Sequence, residues 1–278
     1  MSFLNQNVAD IPHLEWTANL DHRFAERSLA QLAVGAIMRV DRAIDTAVHP
    51  RHKTLAALAQ LDTAKLQVID QIIDANADGG IRFVQIGAHD GDFDDPFTDR
   101  ISDFGWHALL VEPQSDAFAS LYNRYKDVPN VTAVNYAIGT QAGNLTLYKA
   151  ILPERYKNQG TAIATTDRRQ VRAEVMRTIG FFGGLTSRII AEEVTTLTLP
   201  QLLDLHDKNP KSIDFFACDT EGFDTEVVSQ LLATGAKPEL LQYEHLHANK
   251  DEVEKIDRRL RLAKYTLIKT HKDTFCYR

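Results

Sequence analysis

The residues with the most chemical capacity stand at the ends of apolar runs. Phe83-Val84-Gln85-Ile86 stops at Gly87-Ala88-His89-Asp90-Gly91, and Asp92, Asp94 and Asp95 follow close behind. Glycines there let the backbone approach a ligand, but a phosphate needs backbone N–H groups without competing acids. The loop therefore suits a neutral or positively charged ligand. A second run, Ala108-Leu109-Leu110-Val111, ends on Glu112, a carboxylate suited to accept hydrogen bonds from both hydroxyls of a ribose. Farther on, Ile213 to Cys218 runs into Asp219-Thr220-Glu221-Gly222, and Leu240 to Tyr243 runs into Glu244-His245, with His247 one alternation later. Buried acids cost on the order of several kcal/mol unless paired, hydrogen-bonded or coordinated, so this cluster implies a cation, a proton-transfer task or both. Asp224 and Glu226 fall in the first turn of the next helix, where the helix dipole accounts for them.

The elements that must position these groups follow from the periodicity. From Ile81 onward short apolar runs alternate with helical stretches, which predicts a parallel sheet with crossover helices. Strands are expected near 81–86, 107–112, 131–135, 213–218, 239–244, 265–270 and 273–277, and helices near 95–104, 115–126, 198–207, 224–234 and 251–262. In open parallel sheets ligands lie beyond the carboxyl ends of the strands, so Gly87, Gly91 and Glu112 should converge on one crevice. Residues 141–150 read as an extra short strand. The Arg-, Thr- and Gly-rich stretch 151–193 breaks the alternation and reads as an excursion over the sheet edge, either a lid or a plain surface insertion. Residues 80–278 thus form one α/β unit, preceded by a helical segment over 1–79. That segment has apolar residues at three and four spacing, such as Leu29, Leu32, Leu55, Leu58, Ile69 and Ile73, and Pro50 parts it into two arms. The arms either cover an edge of their own sheet or pair with a second copy as a homodimer.

Composition excludes several classes. A net charge of −7 argues against nucleic acid as a partner, because phosphate backbones demand clustered Lys and Arg. The apolar stretch from Leu29 to Met38 is far shorter than the roughly 20 residues of a membrane span, and it lacks the basic start of a signal peptide. Two cysteines, Cys218 and Cys276, provide neither a disulfide framework nor a metal knuckle, which fits a reducing cytoplasm. The glycine turn then separates two ribose-bearing ligands. A dinucleotide site needs G-x-G-x-x-G against a pyrophosphate, whereas G-A-H-D-G followed by acids suits the amino acid end and the sulfonium of S-adenosylmethionine.

Four stretches in order, FVQIGAHDGDF, ALLVEPQSDAFASLYNRY, VTAVNYAIGTQAGNLTLY and VTTLTLPQLLDLHDKNPKSIDFFACDTEGFDTEVV, resemble the FkbM-type family of S-adenosylmethionine-dependent methyltransferases. The resemblance covers residues 80–278 and implies a Rossmann-like class I methyltransferase sheet, mostly parallel with an antiparallel last strand. It implies that Gln85, Gly87, Ala88, His89, Asp90 and Gly91 wrap the methionine end of the donor. Glu112 and Pro113 would hold the ribose, Asn135 and Ala137 would border the adenine, and Asp219 and Glu221 would face the transferred methyl. The family often has asparagine where this loop has His89. The implied reaction is O-methylation of a hydroxyl on a small-molecule or glycan acceptor: a sugar, a glycan, a polyketide or a lipid-linked molecule. For the proton, His245 is the expected base, since an imidazole titrates near neutrality. Asp219, Glu221 and Glu244 are hard oxygen ligands able to hold Mg²⁺, and His247 is expected beside the site rather than on a metal. An NAD-dependent oxidoreductase on a similar sheet and a non-catalytic assembly scaffold are the competing readings.

Overall fold

Alternation along short strands gives the central sheet two apolar faces. In the computed structural model, which describes residues 80–92, 95, 97–153, 164–270 and 272–278, this sheet has seven strands. They are β1 (Arg82–Ile86), β2 (His107–Val111), β3 (Val131–Val134), β8 (Phe215–Cys218), β9 (Leu240–Glu244), β10 (Thr266–Lys269) and β11 (Asp273–Tyr277). Their spatial order is β10-β11-β9-β8-β1-β2-β3. The pairs from β9 through β3 are parallel, and β11, the last strand of the chain, lies antiparallel between β9 and β10. The periodicity predicts the parallel part of this sheet, and the family resemblance implies its antiparallel last strand.

Helices cover both faces, as an apolar parallel sheet requires. On one side Phe83, Ala108, Leu110, Phe215 and Ala217 pack with Ile101 of α1 (Thr98–Asp103) and with Leu121 and Tyr125 of α2 (Ser115–Tyr125). Phe83 is the hub there, with ring centroids 5.2, 5.1 and 4.8 Å from Phe97, Trp106 and Phe215. Each such buried aromatic contributes about 1.5–3 kcal/mol by leaving water. On the other side Val84, Ile86, Leu109, Val111, Phe216 and Leu241 meet α4 (Leu199–Leu205), α5 (Asp224–Ala233) and α6 (Lys250–Leu262). Thr198 opens α4 with a reciprocal cap, its hydroxyl accepting from Gln201 N–H while the Gln201 side chain accepts from Thr198 N–H.

A second, four-stranded sheet stands beside the first. Its order is β4 (Ala137–Ile138), β7 (Arg188–Leu197), β5 (Gly143–Ile151), β6 (Ala164–Thr165). The long β5 and β7 pair antiparallel from Gly143 opposite Thr196 to Ile151 opposite Arg188. Helix α3 (Arg168–Thr186) covers one face, with Val171, Val175 and Ile179 packed on Tyr148, Ala150, Leu152 and Ile189. Gly180, at φ 76° and ψ 171°, interrupts this helix. The expected short strand at 141–150 is therefore a nine-residue strand. The stretch 151–193, expected as an irregular excursion, contributes β6, α3 and part of β7. The expected helical arms of residues 1–79, and any homodimer through them, lie outside the described residues. Among the described residues no helix is long and apolar enough to cross a membrane.

Candidate functional site

Strand register builds the site. Ile86 pairs with Val111 and with Cys218, Val111 pairs with Val134, and Cys218 pairs with Tyr243. The next residue along each strand is Gly87, Glu112, Asn135, Asp219 and Glu244, so these five stand in a row along one rim of the sheet. β1 and β8 touch there: Asp219 N–H donates to the Ile86 carbonyl at 3.0 Å, and a Cβ on Gly87 would lie 1.9 Å from the Asp219 carbonyl oxygen. Gly87 also has φ 82°, a conformation that glycine adopts without penalty.

Glu112 is buried, and both carboxylate oxygens are fixed by backbone donors. Oε2 accepts from His89 N–H at 2.9 Å and Oε1 from Gln114 N–H at 2.8 Å. Burial raises its pKa, and these N–H groups with the nearby His89 ring pull against that rise. Asn135 steadies the same loop from outside, its Nδ2 donating to the carbonyls of Glu112 and Pro113 at 2.8 and 3.0 Å. The carboxylate is thus held at a set angle, with lone pairs left for a ligand that brings hydroxyls.

The second acidic group is organised around Asp224 and Lys272. Asp224 is fully buried and ties the loop after β8, accepting from Thr220 N–H at 3.2 Å, from the Thr220 hydroxyl at 2.9 Å and from Gly222 N–H at 3.3 Å. It does more than face the helix dipole. The loop it ties holds Glu221 at φ 56° and Gly222 at φ 113°, and Gly222 lies so close to the His247 backbone that an added Cβ would stand 3.1 Å from its carbonyl oxygen. That contact brings His247 Nε2 to 3.5 Å from Glu221 Oε2. Lys272, in the turn between β10 and β11, has Nζ 3.0 Å from Asp219 Oδ2 and 3.6 Å from Glu244 Oε1. Burial and the charge on Asp219 push Glu221 up to about 7 and Asp224 up to about 6. Glu244 is pushed up to about 9 by burial and by the Asp219 and Glu221 charges, with Lys272 opposing. Burial works against the Lys272 ammonium, but Asp219 and Glu244 outweigh it and hold the proton on.

Beyond this rim lies a cavity of about 660 Å³ bounded on its far side by the second sheet. Gln85, Gly87, Ala88, His89, Glu112, Pro113, Ala137, Asp219 and Glu221 all line it. Thr140, Gln141, Asn144, Thr165, Thr166 and Gln170, interspersed with Leu145, Leu147 and Ala164, supply an uncharged wall opposite. Four buried oxygens on lining residues have no hydrogen-bond donor among the described residues: Gln85 Oε1, Asp219 Oδ1, Glu221 Oε2 and Gln242 Oε1. A cavity rimmed by Glu112, Asp219 and Glu221 fits a ligand that brings donors and positive charge, and is ill matched to a pyrophosphate.

Not every residue singled out by the sequence reaches the cavity. Gly91 packs instead against Leu121 and Tyr125, Asp90 accepts from Asp92 N–H, and Asn135 acts on the loop behind Glu112. His245 is turned aside, its Nδ1 3.0 Å from the buried Thr274 hydroxyl, while His247 lines the cavity. Glu244 sits 2% exposed behind the lining. Lys272 is the group sequence reasoning missed. The antiparallel register that sets Asp273 opposite Glu244 delivers it, and no local pattern marks such a lysine.

A family model described as "Methyltransferase FkbM domain" matches residues 85–267. No curated protein sequence matches the chain. Solved structures that are similar include the METTL16 methyltransferase domain, at TM-score 0.40 and 11% identity over 77% of this chain and 66% of that one. A methyltransferase FkbM from Methylobacillus flagellatus KT aligns at TM-score 0.40 and 10% identity, over 88% of this chain and 59% of that one. Fibrillarin from Aeropyrum pernix, solved with natively bound S-adenosyl-L-methionine, aligns at TM-score 0.37 and 10% identity over 72% and 67%. The chain thus spans about two thirds or less of the METTL16 and FkbM chains.

Proposed function

The chain belongs to the FkbM methyltransferase family, and from that premise we propose that it transfers a methyl group from S-adenosylmethionine to a hydroxyl of a neutral, polar small molecule or glycan. The observation that carries the reading is the buried Glu112 carboxylate, pinned by His89 N–H and Gln114 N–H at the cavity edge beside an array of unpaired acceptors. When bound, S-adenosylmethionine supplies an electrophilic methyl group on a positively charged sulfur. Glu112 would accept from the ribose hydroxyls, Gly87 and Ala88 would border the amino acid end, and Ala137 with Pro113 would flank the adenine. Asp219 and Glu221 lend that end of the cavity the negative potential that favours a sulfonium.

The chain's remaining task is to orient an acceptor hydroxyl and take its proton. Asp219 is the side chain we assign to the proton. Lys272 fixes its Oδ2, its Oδ1 has no donor among the described residues, and the residue lines the cavity. His245 is not given this role, since its ring is engaged with Thr274. The uncharged wall from Thr140 to Gln170 supports a neutral acceptor over an anionic one, and its hydroxyl and amide groups can hydrogen-bond a sugar or glycan beside the apolar Leu145 and Leu147. The test is incubation of the protein with a methyl-labelled donor and a panel of neutral glycosides, anionic sugars and amines. Label in an alkali-stable ether on a neutral glycoside is expected. Label confined to nitrogen or carboxylate products, or no transfer to any acceptor, would overturn the proposal.

A further inference from the structure

We propose that Glu221, Glu244 and His247 form a binding site for a divalent transition-metal ion, of the Mn²⁺ or Zn²⁺ class, beside Asp219 at the cavity rim. One ligand atom from each of the three lies within 4.8 Å of the other two, so a single ion can reach all of them. The set is built by two strand ends: the loop after β8 supplies Glu221, and the end of β9 supplies Glu244 and, three residues on, His247. Gly222 is the contact that brings the two loops together, packing on the His247 backbone.

Two further observations point to a ligand. Glu244 is 2% exposed and its Oε2 has no hydrogen-bond donor among the described residues, which leaves one of the trio's own carboxylate oxygens buried without a partner. Glu221 Oε2 is likewise buried and receives no hydrogen bond from the described residues, with His247 Nε2 3.5 Å away. The charge balance agrees. Asp219, Glu221 and Glu244 bring three carboxylates together, and Lys272 is the ammonium that reaches two of them. When all three are ionised, two negative charges stay uncompensated by ammonium groups of the described residues, and one divalent ion supplies the balance.

The donor set selects the kind of ion. Mg²⁺ prefers oxygen ligands and keeps much of its water, whereas imidazole suits Mn²⁺, Zn²⁺ and their neighbours. Asp219 is not among the three residues whose ligand atoms lie mutually within 4.8 Å, and Lys272 holds its Oδ2. The ion's part in the reaction, lowering the pKa of an acceptor hydroxyl, rests on the methyl-transfer reading; the binding of the ion does not.

The experiment is calorimetric titration of the chelator-treated, desalted protein with Mn²⁺, Zn²⁺ and Mg²⁺, without donor or acceptor. Binding of S-adenosylhomocysteine is measured separately on the same samples. One Mn²⁺ or Zn²⁺ per chain is expected. Loss of a partner that merely orients a metal ligand costs about 10–100-fold in affinity, so loss of a ligand costs at least as much. Glu244→Gln and His247→Ala should therefore each weaken the ion at least about tenfold, while His206→Ala leaves it unchanged. Because Glu244 is buried, the partly exposed His247 variant carries the test if Glu244→Gln fails to fold. The proposal is overturned if neither Mn²⁺ nor Zn²⁺ binds stoichiometrically, if both variants bind as the parent does, or if Mg²⁺ binds as tightly as Mn²⁺. A protein that binds S-adenosylhomocysteine but none of these ions refutes the metal site alone.

Discussion

A side-chain carbon added to Gly87 would fall 1.9 Å from the carbonyl oxygen of Asp219. The first and fourth strands of the parallel core thus meet backbone to backbone at the ligand rim, and only glycine fits between them. Gly87→Ala should destabilise the protein by more than about 2 kcal/mol and abolish binding of S-adenosylhomocysteine. Scanning calorimetry and titration check both; a variant that melts and binds like the parent would refute this reading of the turn.

Glu112 is oriented by two backbone donors before any ligand arrives. Hydrogen bonds to a charged group are worth about 1.5–3 kcal/mol, so Glu112→Gln should raise the dissociation constant for S-adenosylhomocysteine roughly 10- to 100-fold. Titration calorimetry measures it, with a cooperative melt as the folding control.

Asp219 combines a fixed oxygen with an unpaired one. Asp219→Asn keeps the shape and removes the proton acceptor. Its turnover number should fall at least about 100-fold, with the donor dissociation constant changed less than about tenfold. Equal losses in binding and turnover would instead mark Asp219 as a donor-holding group.

The polar wall opposite the rim makes a separate prediction. Asn144→Ala and Gln170→Ala each remove one neutral hydrogen-bonding group from the cavity. Each should raise the KM for the acceptor about three- to tenfold and leave donor affinity unaltered. Steady-state kinetics with the donor saturating separates the two effects.

Asp224 predicts a pH dependence of stability. Its carboxyl is pushed up to about 6 from an ordinary 3.8, by burial first and the Asp219 charge second. The folded chain therefore holds this proton more tightly than the unfolded one. The stabilisation is complete below about pH 4 and is lost as pH rises through about 6. Melting temperatures measured from pH 4 to 7 should fall less steeply in Asp224→Asn than in the parent.

The central sheet was legible because its strands are short apolar runs, each closed by a turn or an acid, and these cues are local. Residues 82–86 and 107–111 can be read from four or five neighbours each. Of the second sheet only β5 was legible, as the strand expected at 141–150. β7 buries only Val194 and Thr196 in ten residues, and its partner β5 lies well upstream, so β7 carries no continuous apolar signal. Helix α3 was obscured by the glycine that interrupts it. At the site, Glu112, Asp219 and Glu221 were legible as acids at strand ends. His247 was legible as a residue beside the site, but its approach to Glu221 was not, since the Gly222 contact sets it. Lys272 was not legible at all, because strand register places it among those acids from far along the chain.

The acid-rimmed cavity should take the adenosyl amino acid and reject a diphosphate. Titration of the full chain with S-adenosylhomocysteine and with NAD⁺ under the same conditions tests it most directly. One-to-one binding of S-adenosylhomocysteine, weakened in Glu112→Gln, with no measurable binding of NAD⁺, is the predicted result. Binding of NAD⁺ in place of the adenosyl ligand, or no binding of the adenosyl ligand, would contradict it.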